Sequence, residues 1–175
     1  NENTLVSFNS SVAKLAQKED TTRYIVQAQI DSSNANKVCA KWSKNGNVDY
    51  TGVNLYVGFK SSVSSADDEG RKEITDTLNR KLNEYKQTYN ASSMMITEYG
   101  AGANINQHAT MDENFSWSSD DASKDKHYEE YQAFVLETYY SLIQKRKDIP
   151  VSFVWNMFDF GCAARDEGGV AGRNN

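Results

Sequence analysis

Two short apolar runs carry the polar side chains in this chain that could do chemistry. Residues 94–100 end in Thr-Glu-Tyr-Gly and place Glu98 near the carboxyl end of the run. Residues 151–160 place Trp155 and Asn156 at the corresponding point of the second run. A carboxylate at the end of a buried strand is costly unless it is paired, hydrogen-bonded or protonated. An acid, an indole ring and amides that converge at strand ends suit a carbohydrate site.

Composition and charge indicate which kinds of molecule the chain is not expected to bind. The chain has 175 residues, a formal net charge of −5 and a calculated pI of about 5.1. Lysine and arginine are interleaved with aspartate and glutamate, so the basic patch that nucleic-acid binding requires is not predicted. No apolar run approaches the ~18 residues of a membrane-spanning helix. We therefore expect one globular domain without nucleic-acid or membrane partners, and, since residue 1 is not methionine, a processed chain or a fragment.

Potential metal ligands are sparse. Cys39 and Cys162 fit no zinc-binding spacing, and His108 and His127 add no ligand-like partner. We expect two free thiols, because an unpaired cysteine often behaves as a small buried hydrophobe, and a disulfide is the open alternative. No metal or other cofactor is predicted. We interpret His108 as a solvated loop residue, with a contact to substrate as the alternative.

The elements that must position these residues are predicted from hydrophobic periodicity. In the first predicted helix, Leu5, Phe8, Val12 and Leu15 form one face of a 3.6-residue repeat. Longer helices are predicted at 4–18, 66–89 and 128–142, a short one at 37–42, and strands at 24–30, 52–59, 94–98 and 151–158.

Strands that alternate with helices predict an α/β fold with parallel pairing and right-handed crossovers. Nearly continuous apolar strands predict a sheet covered on both faces. Long loops come after the strands, which is where barrel enzymes keep their sites. A doubly wound sheet stays open as an alternative, although the sequence has no Gly-x-Gly-x-x-Gly fingerprint of a nucleotide site.

Five segments, in order along the chain, resemble glycoside hydrolase family 2, most closely its bacterial β-galactosidase branch. They are Asp-Thr-Thr-Arg at 20–23, Asn-Leu-Tyr-Val-Gly at 54–58, Ile-Thr-Glu-Tyr-Gly-Ala at 96–101, Ser-Phe-Val-Trp-Asn-Met-Phe-Asp-Phe at 152–160 and Arg-Asp-Glu-Gly-Gly at 165–169. The resemblance implies a TIM (β/α)8 barrel. It also implies that residues 1–175 are the C-terminal half of that barrel, about strands five to eight, truncated at both ends.

The resemblance also implies roles for individual residues. Glu98 matches the catalytic nucleophile at the end of strand seven. Tyr56 matches a tyrosine at the end of strand six that donates a hydrogen bond to the nucleophile. Trp155 matches a tryptophan of strand eight that lines the sugar site, and Asn54 and Asn156 lie beside these positions as further substrate contacts. The implied partner is a carbohydrate, a terminal β-galactoside, hydrolysed by an exo-acting retaining enzyme.

One part of the catalytic apparatus is not placed by the sequence. A retaining glycosidase needs two carboxyl groups about 5–5.5 Å apart, and the family's acid/base comes after an asparagine on strand four. Asn1-Glu2 is a candidate for the tail of that motif, but its strand is absent. We therefore expect the chain to be inactive alone. Two unpaired sheet edges, at the strands of Tyr24 and Val151, also predict self-association.

Other interpretations stay open beside this one. β-Glucuronidase of the same family shares the Thr-Glu-Tyr-Gly and Trp-Asn signals, and a non-catalytic sugar-binding fragment is a third function. Glu98 could be a structural acid, Tyr56 and Trp155 could be core residues, and Asp159 with Arg165 is expected to form an ion pair. In the last predicted helix, Tyr128, Tyr131 and Tyr139 are interpreted as packing residues. The resemblance favours a bacterial protein, periplasmic or secreted rather than cytoplasmic.

Overall fold

A computed structural model describes residues 2–32, 48–59, 63, 65–109, 127–165 and 172–174. The helices are α1 (Glu2–Glu19), α2 (Asp68–Tyr89) and α3 (Glu129–Ile143), and the strands are β1 (Val26–Gln27), β2 (Tyr50–Asn54), β3 (Met94–Tyr99), β4 (Ser152–Val154), β5 (Phe160–Gly161) and β6 (Arg173–Asn174). The short helix predicted at 37–42 and Cys39 lie outside the described residues, whereas Cys162 is a free thiol.

A four-stranded sheet in the order β1-β2-β3-β4 organises these elements. The β1–β2 and β2–β3 pairs are parallel, with helix α2 connecting β2 to β3 and helix α3 connecting β3 to β4. Parallel pairing through helical crossovers confirms the predicted α/β fold. The outer strands are β1 and β4, the two edges expected from the sequence. Strands β5 and β6 pair separately and antiparallel.

The chain divides into two compact units. The first contains Asn1–Leu55, Arg80–Glu98 and Lys147–Ser152, and the second contains Tyr56–Asn79, Tyr99–Arg146 and Phe153–Asn175. The first unit has an apolar core of fully buried side chains from β2 and the residue after it, β3 and α2, namely Val53, Leu55, Leu82, Met94 and Ile96. Its surface carries ion pairs from α2, with Lys81 bound to Asp31 and Lys86 bound to Asp148.

The second unit is built around the buried tyrosines of α3. The hydroxyl of Tyr139 accepts a hydrogen bond from Val57 N at 2.7 Å and donates one to Val57 O at 3.1 Å. The hydroxyl of Tyr131 donates to Gly58 O. These bonds satisfy backbone groups where the chain turns after β2, which is why a buried turn is tolerated here. The predicted packing role is confirmed for Tyr131 and Tyr139, which are buried, whereas Tyr128 is half-buried.

The predicted lengths of three strands are corrected. The strand predicted at 52–59 ends at Asn54, because the chain turns over residues 57–59 and Gly58 adopts a φ of +89° that glycine favours. The strands predicted at 24–30 and 151–158 are likewise shortened to Val26–Gln27 and Ser152–Val154.

The apolar face of α1 is exposed to solvent. Leu5, Phe8, Val12 and Leu15 are 48–65% exposed, whereas Ala13, on another face of the helix, is buried. Periodicity predicts that a helix has an apolar face, but burial of that face requires a neighbour to cover it.

Among the described residues, no helix has both the length and the apolar character required to cross a membrane.

Candidate active site

Two of the predicted site residues, Asn54 and Glu98, lie near the carboxyl ends of β2 and β3 in the first unit. Since these strands are parallel, their carboxyl ends lie at the same edge of the sheet. Asn54 closes β2 and is the register partner of Glu98 on β3. The backbone N–H of Leu55 donates to the carbonyl oxygen of Glu98 at 2.8 Å, which fixes the main chain of Glu98. Both Asn54 and Glu98 are half-buried, so the predicted acid lies at a partly accessible strand end.

A break in register precedes Glu98. Val53 pairs with Ile96, and the next pair is Asn54 with Glu98, so Thr97 is the extra residue of a bulge on β3. Bulges redirect side chains and are frequent beside active sites. The Thr97 hydroxyl donates a 2.7 Å hydrogen bond to Asn54 Oδ1, which ties the bulge to the end of β2.

Gly52 makes room for this arrangement. A Cβ atom at Gly52 would lie 2.3 Å from Thr97 Cγ2 and 3.1 Å from the carbonyl oxygen of Gln27. Any side chain at position 52 would therefore displace Thr97. Sequence reasoning missed both Gly52 and Thr97, although a glycine inside an apolar strand is a known signal of close approach or a bulge.

The second unit holds the residues predicted after β4. The backbone N–H of Trp155 donates to Tyr99 O at 2.8 Å. Gly100 has a φ of +154°, and a Cβ atom there would lie 2.5 Å from Trp155 O, so only glycine fits beside this carbonyl. The Trp155–Asn156 peptide bond is cis.

The side chains in this segment differ in exposure. The Trp155 ring is 42% exposed and meets the Phe160 ring edge-on, with 6.0 Å between centroids. Asn156 is half-buried. Tyr56 is also half-buried, and its ring centroid lies 6.2 Å from that of Phe59. Neither aromatic ring is a core residue, and the roles inferred for Tyr56, Trp155, Asn54 and Asn156 stay predictions, as does the role of Glu98.

The loop after β3 is attached to the start of α3 by an ion pair that the sequence did not reveal. His108 Nδ1 donates to Glu130 Oε1 at 2.9 Å, and His108 Nε2 donates to Ile105 O at 3.1 Å. The second carboxylate oxygen of Glu130 accepts from Ala109 N at 3.1 Å. The hydrogen bond to Glu130 raises the pKa of His108, and the same bond lowers the pKa of Glu130. His108 therefore has a structural role in addition to its solvent exposure.

Other predicted charges have defined partners or fall outside the described part. Asp159, which we expected to pair with Arg165, accepts a hydrogen bond from Arg173. Glu2 is the first residue of α1, and neither its side chain nor Asn1 is among the described parts. Within the described residues, no group of three potential metal-ligating side chains is found.

Comparison with known proteins gives homologues of one chemical class. No protein-family model matches the chain. A β-glucuronidase of Bacteroides fragilis is 29% identical over 170 residues, which are 97% of this chain and 21% of that protein. The structure of an FMN-binding β-glucuronidase from Faecalibacterium prausnitzii L2-6 superposes with a TM-score of 0.68 at 30% identity, covering 98% of this chain and 23% of that one.

A presumed β-galactosidase from Bacteroides fragilis superposes with a TM-score of 0.69 at 25% identity, covering 99% of this chain and 23% of that one. The chain therefore spans about a fifth of the length of the relatives it matches. These relatives confirm the α/β fold with a parallel sheet, as in part of the TIM barrel of a glycosidase. The homologues are glycosidases, named for two different sugars.

Proposed function

We propose that the complete protein containing this chain is a retaining β-glycoside hydrolase whose nucleophile is Glu98. The observation that carries the proposal is the position of Glu98 at the carboxyl end of an inner strand of a parallel sheet, directly after the Thr97 bulge. Barrel enzymes place catalytic side chains at this end of their strands. The glycosidase homologues, which match nearly the whole chain, support the same reaction class.

The mechanism is a double displacement. The Glu98 carboxylate attacks the anomeric carbon, and the bond from that carbon to the leaving-group oxygen breaks while a second carboxylic acid protonates that oxygen. Water, deprotonated by the same second group, then attacks the anomeric carbon and releases Glu98. We assign the second carboxyl group to a residue outside this chain.

The substrate-binding roles agree with the exposure of the side chains. Trp155 offers a partly exposed ring, which suits the apolar C–H face of a sugar. Asn54 and Asn156 supply amide groups that hydrogen-bond hydroxyls, and the resemblance gives Tyr56 the role of hydrogen-bond donor to the nucleophile. These roles are carried by the resemblance and are supported by the partial accessibility of all four side chains.

The sugar is proposed to be a terminal β-galactose, on the resemblance of Trp-Asn-Met-Phe-Asp-Phe at 155–160. A terminal β-glucuronide is the second candidate, because two of the relatives described above are β-glucuronidases. Hydrolysis of nitrophenyl β-galactoside and nitrophenyl β-glucuronide by the complete protein separates them. A clear preference for the glucuronide overturns the galactoside assignment.

The role of Glu98 is tested by a matched pair of substitutions in the complete protein. Glu98→Gln removes the nucleophile, and we expect kcat to fall about 10⁴-fold or more. Glu84→Gln makes the same chemical change on the exposed side of α2, where Glu84 pairs with Arg80, and should leave kcat within about twofold. Retention of activity in Glu98→Gln contradicts the proposal.

Activity assays on the 175-residue chain alone and on the complete protein distinguish the enzymatic proposal from a sugar-binding one. We expect it to show no turnover of an activated nitrophenyl glycoside, because general acid catalysis contributes about 10²–10⁴-fold and its donor lies elsewhere. Robust turnover by a monomeric chain overturns the assignment of the acid to another segment. A complete protein that binds but does not hydrolyse glycosides makes the sugar-binding alternative the better one.

A further inference from the structure

We propose that Thr97 is a positioning residue, which orients the amide of Asn54 so that its Nδ2 group donates hydrogen bonds at the end of the strand that carries Glu98. This inference rests on the proposed function, since it assigns Asn54 a donor role toward the sugar. It names a residue, Thr97, that the resemblance does not single out. The contacts that carry it all lie within the first unit.

The first step is the hydrogen bond itself. Thr97 Oγ1 donates to Asn54 Oδ1 at 2.7 Å, so the acceptor atom of the Asn54 amide is engaged. A primary amide has one acceptor oxygen and one nitrogen with two donor hydrogens. With Oδ1 held by Thr97, the hydrogens of Nδ2 are directed away from Thr97 and are the part of the amide that can bind another oxygen.

The second step is the register. Asn54 is the partner of Glu98 across the β2–β3 pair. The orientation of the Asn54 amide therefore decides whether a donor or an acceptor is presented beside the strand end that carries the carboxylate. Donors are favourable there, since both sugar hydroxyls and carboxylates offer acceptor oxygens, whereas a carbonyl oxygen facing a carboxylate is repelled.

The third step is the geometry that places the Thr97 hydroxyl within reach. Thr97 is the extra residue of the bulge, so it stands outside the residue-by-residue pairing of β2 with β3. The absence of a Cβ atom at Gly52 gives the Thr97 methyl group its space, because a Cβ there would approach it to 2.3 Å. A glycine in a strand interior weakens the strand. The presence of Gly52 is therefore consistent with a requirement for space beside Thr97.

The test compares Thr97→Val with Thr97→Ser in the complete protein. Thr97→Val keeps the branched shape and removes the hydroxyl, and we expect kcat to fall about tenfold, the equivalent of one hydrogen bond. Thr97→Ser keeps the hydroxyl and should restore kcat to within about threefold of the unmodified protein. A bulge that only stabilises the fold would instead lower the unfolding midpoint of Thr97→Val without lowering the kcat of the folded protein.

Two kinetic outcomes overturn the inference. One is a Thr97→Val protein that is folded and has the kcat of the unmodified protein. The other is a Thr97→Ser protein that is as slow as Thr97→Val although both are folded by circular dichroism. In either case the hydroxyl does not position Asn54 for the reaction.

An NMR measurement on the ¹⁵N-labelled chain distinguishes this failure from a failure of the proposed function. The two side-chain N–H signals of Asn54 should shift in Thr97→Val and stay near their original positions in Thr97→Ser. Unchanged Asn54 signals in Thr97→Val overturn the inference whatever the activity. If the signals behave as expected but the unmodified complete protein hydrolyses no glycoside, the proposed function fails, and the positioning role fails with it.

Discussion

The inner strand pair β2–β3 and the outer strand β4 look alike in sequence and differ in structure. All of them are short apolar runs that precede polar residues. Val53 on β2 and Ile96 on β3 are fully buried, whereas Val154 on β4 is 49% exposed and Phe153 is 55% exposed. The apolar run predicts a strand in each case. It does not predict how much of that strand is covered, because coverage depends on the neighbours that the strand acquires.

The segments after β3 and β4 differ in the same way. The loop after β3 is held by several contacts, among them His108 with Glu130 and a 2.7 Å hydrogen bond from Gln132 Nε2 to Ala101 O. After β4, Met157 and Phe158 are 85% and 71% exposed. Glu98 belongs to the better-held region, since the backbone N–H of Leu55 fixes its main chain, and a nucleophile requires such fixed positioning.

The largest expected effect is on the free energy of unfolding, when a valine is shortened to alanine in each of the two regions. Val53→Ala removes two methyl carbons from a fully buried site, and we expect a loss of about 2 kcal/mol in the free energy of unfolding. Val154→Ala makes the same change at a half-exposed site, and its cost should be about 0.5 kcal/mol or less. Urea unfolding of the two variants measures the difference. Equal costs would show that β4 is as well packed as β2.

A smaller effect is expected from the exposed segment after β4. Replacing Met157 and Phe158 with serine should leave the free energy of unfolding within about 0.5 kcal/mol, because neither side chain is buried. The same double change should lower the average mass of the isolated chain in light scattering, since exposed apolar patches drive association. An unchanged mass would show that this segment does not drive association of the chain.

The smallest expected effect is the pH dependence of the loop after β3. The raised pKa of His108 means that its contribution is complete below about pH 6.5, the ordinary value, and is lost as the pH rises through the raised pKa. The lowered pKa of Glu130 means that its contribution is complete above about pH 4.5 and is lost as the pH falls through the lowered pKa. The loop should therefore be most firmly held between these two limits.

Proton NMR titration of His108 checks this prediction. The apparent pKa of His108 should lie above 6.5 in the unmodified chain and move down toward that value in Glu130→Gln, which keeps the shape of the side chain but not its charge. Glu137→Gln, a change elsewhere on α3, is the matched control and should leave the His108 titration in place. An unchanged His108 pKa in Glu130→Gln contradicts the ion pair.

The sequence predicted much of the fold because periodicity and strand order are local signals. The helices α1, α2 and α3 lie close to their predicted ranges, and the parallel pairing of β2 with β3 is explained by helix α2, which lies between them in the chain. Strand ends were less predictable. β2 stops at Asn54 because the chain turns over residues 57–59, and buried hydroxyls from α3, far away in sequence, satisfy the backbone of that turn.

Some residues of the candidate site could also be predicted from the sequence, and others could not. Glu98 was identifiable because a carboxylate at the end of an apolar strand is unusual and its neighbours form a known motif. The Thr97 bulge was not, since a change of register is a property of two strands together and neither strand reveals it alone. The His108–Glu130 pair was also missed, because the two residues are 22 positions apart and join a loop to a helix.

The central claim is that Glu98 is the nucleophile, and covalent labelling tests it most directly. The complete protein is treated with a 2-fluoro glycoside inactivator of the sugar that it hydrolyses best, digested, and analysed by peptide mass spectrometry. A retaining mechanism with Glu98 as nucleophile predicts one stable glycosyl ester, on Glu98 in the peptide that contains β3, and no such label in Glu98→Gln. A label on any other carboxylate, with Glu98 unmodified, would contradict the account.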